Sequence, residues 1–121
     1  MVMTQPKSLA REDGQEVYDD GHLRVEHENY FASCRGRLLK LPRAEFLILS
    51  RLARNPGRIV TAEELWQHVW GASRAFNTES LHVYIYRLRR KLEPLGIKID
   101  TMIHVGYRLI PPSQNIAEAG G

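Results

Sequence analysis

The sequence predicts an α+β fold, with a small antiparallel sheet first, three helices next and a β-hairpin last. Three observations predict it. Four short strand-like runs, 16–18, 23–27, 30–34 and 37–41, follow one another with turn residues between them. Three later stretches place apolar residues at helical spacing, each with its own start and stop signals. Two more strand-like runs, 97–102 and 107–110, end the pattern.

The sheet is read from its punctuation. Asp19-Asp20-Gly21, Glu28-Asn29 and Arg35-Gly36 separate the four runs. Asn29 and Gly36 suit tight reversals because Gly, and less easily Asn, tolerates positive φ. Cys34 lies in the third run and is expected to be a buried filler. One face of such a sheet must bury against a second layer. Residues 1–15 are polar and aperiodic and read as a flexible tail or linker. The domain is therefore expected over 16–111, with 112–121 a second flexible tail.

The first helix starts at Pro42, whose missing N–H costs little in a first turn. Phe46, Leu49, Leu52 and Ala53 form its inward face, and Glu45 complements the exposed amides at its start. Asn55-Pro56-Gly57 stops it. After an extended link, 58–60, Thr61-Ala62-Glu63-Glu64 forms a capping box. The second helix carries Leu65, Val69 and Trp70 on one side and ends at Gly71. A loop, 72–77, follows, and Asn77 or Thr78 caps the third helix.

That third helix, 79–93, organises the chain. Leu81, Ile85, Leu88 and Leu92 recur on one face and should turn inward. Arg87, Arg89, Arg90 and Lys91 lie mostly off that stripe. An apolar back and a basic front suit a recognition helix for a nucleic-acid groove, or an ordinary solvated helix. The context adds to this. Two helices joined by a loop, the second basic, make a helix-turn-helix arrangement. Pro94-Leu95-Gly96 ends the helix, and the hairpin after it stands where a wing would. Pro111-Pro112 stops the last strand. The full expectation is a winged helix-turn-helix with an N-terminal four-stranded antiparallel sheet, three helices and a C-terminal hairpin wing.

Composition narrows the partners. The chain has 121 residues and is 43% hydrophobic, which allows one domain with one modest core. Residues 1–34 carry three basic and seven acidic side chains, whereas 35–121 carry fourteen and seven. The second part should meet an anionic partner. A single cysteine permits no internal disulfide and fits a reducing compartment. No apolar run is long enough to cross a bilayer, and the first residues lack the apolar core of a secretory signal. The bacterial cytoplasm is the expected location. There is no glycine-rich phosphate loop and no HExxH. The five histidines, His22, His27, His68, His82 and His104, show no metal-ligand spacing. The expectation is no catalytic residue, no cofactor and no metal: a binding module, not an enzyme.

Three stretches together resemble the winged-helix output domain of OmpR/PhoB-family two-component response regulators. They are LPRAEFLILSRLARNPGRIVTAEEL, VWG, and LHVYIYRLRRKLEPLGIKIDTMIHVGYRLI, and the resemblance spans 17–110. It implies a sequence-specific, double-stranded-DNA-binding transcriptional regulator, with helix 79–93 in the major groove and wing 102–107 at the minor groove. Arg87 falls at the family's base-proximal arginine, and Val83 where an apolar side chain touches a thymine methyl. Ser80, Tyr84, Tyr86 and Arg89 fall at or near positions that approach phosphates or flank bases. Arg90 and Lys91 add attraction, and His104 could donate to a phosphate. Loop 72–77 resembles the loop that meets RNA polymerase. The resemblance further implies head-to-tail dimers on direct repeats, and a receiver domain or membrane anchor outside this chain.

Several residues depart from the pattern. Pro42 replaces a threonine cap, Glu79 a phosphate-friendly residue, His82 an aspartate and Tyr84 a histidine. In the wing, Ile103 replaces an arginine and His104 a glycine. Loss of that cation and the carboxylate at Glu79 imply weaker or differently specified DNA binding. They also supply the case for one rival, a winged-helix protein-interaction module with weakened or lost DNA binding; a second rival is an RNA or general nucleic-acid binder.

Overall fold

The computed structural model describes residues 10–12 and 15–111. The α+β expectation holds. An antiparallel sheet runs in order through β1 (Ala10–Glu12), β2 (Gln15–Asp19), β3 (Leu23–Glu26), β4 (Phe31–Cys34) and β5 (Arg37–Leu38). The four expected strands are β2 to β5. β1 is an addition, lying within the stretch read as a tail and pairing Ala10 with Val17. Three residues are too few to show a strand period. Positions 1–9, 13–14 and 112–121, the rest of the two expected tails, lie outside the described residues.

The turns between strands are built from side chains. Asp20 Oδ1 accepts from the backbone N–H groups of His22 and Leu23, both at 2.8 Å, and folds the β2–β3 turn. Arg35 and Gly36 both take positive φ, 52° and 82°, between β4 and β5. Asn29 does not supply the reversal expected of it. Residues His27–Asn29 form a short 3-10 turn, and Tyr30 takes the left-handed conformation at φ 51°. Asn29 instead donates to Glu26 Oε1 at 2.8 Å, which rigidifies the turn from outside. Strand β3 therefore ends before His27, whose Nδ1 lies 2.6 Å from Ser50 Oγ in the interior. Burial, aided by Arg54, holds that imidazole down at about 4, so it is neutral at pH 7.

Three helices form the second layer: α1 (Arg43–Ala53), α2 (Ala62–Trp70) and α3 (Thr78–Leu92). The inner face of the sheet, with Tyr18, Leu23, Val25, Ala32 and Cys34, shares one core with α1 Phe46, Ile48, Leu49 and Leu52. Tyr30 stacks on Phe46 at 5.2 Å between centroids. The capping box of α2 is present in both directions, Thr61 Oγ1 with Glu64 N–H and Glu64 Oε1 with Thr61 N–H, each 3.1 Å. On α2 the buried residues are Leu65, Trp66 and Val69, and Trp70 is half-buried. Trp66 is thus the deeper of the two tryptophans, although only Trp70 was read onto the inward side. Its ring covers the loop after α2, where spacing within the helix carries no signal.

The C-terminal strands are β7 (Lys98–Met102) and β8 (Gly106–Ile110). A third strand, β6 (Val60–Thr61), pairs with β8 and makes a three-stranded sheet in the order β6-β8-β7. It joins Val60, the end of the expected link, to Thr61, the expected helix cap. Its closeness to β8 requires glycine at 106, because a Cβ there would stand 2.0 Å from the Val60 carbonyl oxygen. The wing is therefore rooted in the start of α2 as well as in its own hairpin.

Candidate nucleic-acid interface

Helix α3 owes its position to its apolar stripe. Leu81, Ile85, Leu88 and Leu92 are all buried, as their spacing predicts. Asn77 caps the helix, its Oδ1 accepting from Ser80 N–H at 2.9 Å. At the other end Gly96, in the left-handed conformation, reverses the chain, and Ile97 N–H returns to Leu92 O at 3.2 Å.

Once the stripe is fixed, the remaining positions are fixed with it. At about 100° per residue, Glu79, Val83, Tyr86 and Arg90 stand opposite the buried stripe, with Arg87 and Ser80 beside them. Val83, Tyr86, Arg87 and Arg90 are exposed and Ser80 is half-buried. His82 and Arg89 fall on the flank towards the wing, Tyr84 and Lys91 on the flank towards α2 and α1.

The flanks are engaged with protein. Arg89 wraps onto the wing strand β7, with Nε and Nη2 donating to Ile99 O at 2.9 and 2.6 Å and Nη2 to Thr101 Oγ1 at 2.5 Å. Lys91 Nζ reaches Glu45 Oε1 at 2.5 Å. Glu45 lies in the first turn of α1, as expected, and is buried to 2% exposure, so it also serves as the buried partner of Lys91. Tyr84 packs on Trp70 at 5.1 Å between centroids.

The outward arginines are supported by rings and carry no carboxylate partner among the described residues. Arg87 lies over the Tyr84 ring at 5.6 Å, and Arg90 over Tyr86 at 5.8 Å while donating to its hydroxyl at 3.1 Å. A ring orders a guanidinium without cancelling its charge. That leaves both groups oriented and cationic, the condition for meeting a phosphate or a guanine edge.

Of the nine residues singled out from the sequence, the fold brings Ser80, Val83, Tyr86, Arg87 and Arg90 onto one surface. Tyr84 supports it from below. Arg89 and Lys91 hold the helix to the wing and to α1. His104 sits apart, exposed in the wing turn with φ 66°. The sequence does not reveal the pairing of Glu45 with Lys91, since 46 positions separate them and no local pattern joins them. Sequence reading missed Arg74. That guanidinium lies 5.6 and 5.5 Å from the Trp66 and Trp70 rings, and its carbonyl accepts from Trp66 Nε1 at 2.9 Å. These contacts shape loop 72–77. Among the described residues no three His, Cys, Asp or Glu side chains gather as a metal would require, and no helix is long and apolar enough to cross a membrane.

Residues 36–109 match the family model described as transcriptional regulatory protein, C terminal. The chain belongs to this family, the winged-helix DNA-binding output domains of OmpR/PhoB response regulators. RegX3 of Mycobacterium tuberculosis, a sensory transduction protein, is 36% identical over 96 residues, which cover 77% of this chain and 42% of RegX3. Response regulator DrrB, an OmpR/PhoB homologue from Thermotoga maritima, superposes with a TM-score of 0.66 at 31% identity, over 78% of this chain and 44% of DrrB. The DNA-binding domain of Klebsiella pneumoniae RstA, solved in complex with the RstA box, superposes with a TM-score of 0.67 at 28% identity, over 78% of this chain and 97% of that domain. The chain thus spans less than half the length of RegX3. The family is one of DNA-binding regulatory modules, and its fold is not a catalytic one.

Proposed function

We propose that the chain regulates transcription by binding double-stranded DNA at specific sequences, with α3 in the major groove. The observation that carries this reading is the outward surface of α3. Two ring-supported arginines and an exposed valine share it, on a helix whose other cations are bound to protein. Arg87 donates two hydrogen bonds to guanine O6 and N7, and Val83 packs on a thymine methyl. Ser80, Tyr86 and Arg90 approach phosphates or flanking bases, and His104 faces the backbone beside the wing. A helix about 10–12 Å across fits a groove of about 12 Å, and the family resemblance implies that the wing meets the adjacent minor groove. Arg89 and Lys91 contribute by holding the helix in place.

A single small module with few base contacts binds modestly, which favours head-to-tail pairing on direct repeats. Loop 72–77, held out by Trp66 and Arg74, is the surface for RNA polymerase. A receiver domain outside this chain is the natural source of the signal. The experiment is selection of duplexes from a random library, repeated with Arg87→Ala. Recovery of a defined site by the native chain, with relaxed choice at one guanine in the variant, is expected. Unchanged selectivity in the variant removes Arg87 as the principal reader. The apolar wing tip favours a second reading, a protein-interaction module, and failure to retain any duplex would move the chain there.

A further inference from the structure

The wing tip has an unusual surface. Ile103 is 72% exposed, more than any other large apolar side chain among the described residues, and Val105 and Met102 beside it are 47% and 42% exposed. Residues 99–107 contain no lysine or arginine. Arg108 is engaged with Asp100 at 3.2 Å, and Arg89 with Thr101 Oγ1 and the Ile99 carbonyl. Of the tip residues 102–105 only His104 has a polar side chain, so no lysine or arginine of the tip grips phosphates.

The tip is also stiff. Val105 N–H closes the turn on Met102 O at 2.9 Å. Gly106 lies against Val60 on one side, and the Arg89 fork holds β7 to α3 on the other. A cleft of about 380 Å³, lined by Thr78 and His82 of α3 among others, lies between the tip and the start of the recognition helix. Tip and helix thus form one continuous surface. The tip stands beside α3, on the flank of His82 and Arg89.

We propose that Ile103 is an apolar wedge that enters the minor groove beside α3, partly unstacks a base step and bends the DNA. The inference rests on the DNA-binding reading above and specifies how its wing works. Apolar side chains inserted between base steps kink duplexes by roughly 20–90°. The insertion is cheapest at the flexible pyrimidine–purine steps. The wing therefore selects such a step, TA or CA/TG, through deformability and not through hydrogen bonds or charge. The ligand is B-form DNA with a pliable step at a fixed distance from the guanine read by Arg87.

The test uses the full chain and the duplex it recovers from a random library. Bend angle is measured by circular permutation, unstacking by 2-aminopurine fluorescence at the wing step, and affinity across a salt series. The native chain should bend its site and brighten 2-aminopurine. Ile103→Ala should lose both signals and about tenfold in affinity, with the salt slope unchanged. Ile103→Met should restore them. Ile103→Arg should lose the bend and steepen the slope by about 0.9. Ile103 is exposed, so all three variants should melt with the native chain. A straight complex, or Ile103→Ala binding and bending within twofold of native, overturns the wedge. Arg87→Ala on the same duplex tests the helix separately: a loss there with no effect at Ile103 keeps the DNA reading and removes the wedge. If no duplex is recovered, both fall.

Discussion

Arg87 and Arg90 on the outward surface of α3, and Arg89 and Lys91 on its flanks, lie within five consecutive residues and differ in what holds them. The outward pair rests on Tyr84 and Tyr86, which orient a cation and leave its charge intact. The flanking pair is spent on the protein, Lys91 on the buried Glu45 and Arg89 on the carbonyl of Ile99. The difference teaches that the charge of a basic helix overstates its reach. Four cations are present, yet two are bonded to protein and two face outward. A recognition surface needs both kinds, because an oriented arginine is only as well placed as the helix that carries it.

Lys91→Met offers the largest test of that division. It leaves Glu45 buried without its partner and should cost about 2–3 kcal/mol in chemical denaturation, somewhat below a fully buried pair because Lys91 keeps one side in water. Adding Glu45→Gln should recover most of the loss. DNA affinity of the folded protein should change by less than about threefold. A stable variant with weakened binding would put Lys91 with the outward pair. Arg87→Ala should behave in the opposite sense. Stability should stay within about 0.5 kcal/mol, while affinity for the selected duplex falls about thirtyfold, equivalent to about 2 kcal/mol for one bidentate contact. Isothermal titration beside a thermal melt separates the two effects.

The same contrast marks what could be read from sequence. The stripe Leu81, Ile85, Leu88 and Leu92 was legible because a helix repeats its geometry every few residues, and so were the caps at Thr61 and Asn77. Gly71 and Gly96 were legible as stops. What repeats locally can be seen locally. The partner of Lys91 lies on another helix, the partner of Arg89 on a strand formed afterwards, and β6 is two residues long. None of these leaves a period or a spacing. Asn29 shows the same limit in a turn. Its type suited the reversal, but the left-handed residue is Tyr30, next to a turn in which His27 is anchored on Ser50 in the interior. The candidate surface was therefore legible as a set of residue types, and only the fold could sort them into those that face outward and those that face in.

Two smaller tests bear on each side of the comparison. Arg89→Ala removes a guanidinium fork from Ile99 O and Thr101 Oγ1 and should cost about 1.5 kcal/mol. Its signature is local, with faster amide exchange in β7 and β8 and little change in the sheet of β1 to β5. Arg90→Ala should do least to the fold, since Arg90 is exposed and touches only Tyr86 among the described contacts. If it meets one phosphate, the slope of log K against log salt should become shallower by about 0.9, and affinity at moderate salt should drop a few fold for every sequence alike. Tyr86→Phe removes the hydroxyl acceptor and keeps the ring, so it should give a smaller loss in the same direction. An unchanged slope in Arg90→Ala would remove Arg90 from the outward surface and leave Arg87 as its one cation, with Ser80, Val83 and Tyr86 beside it.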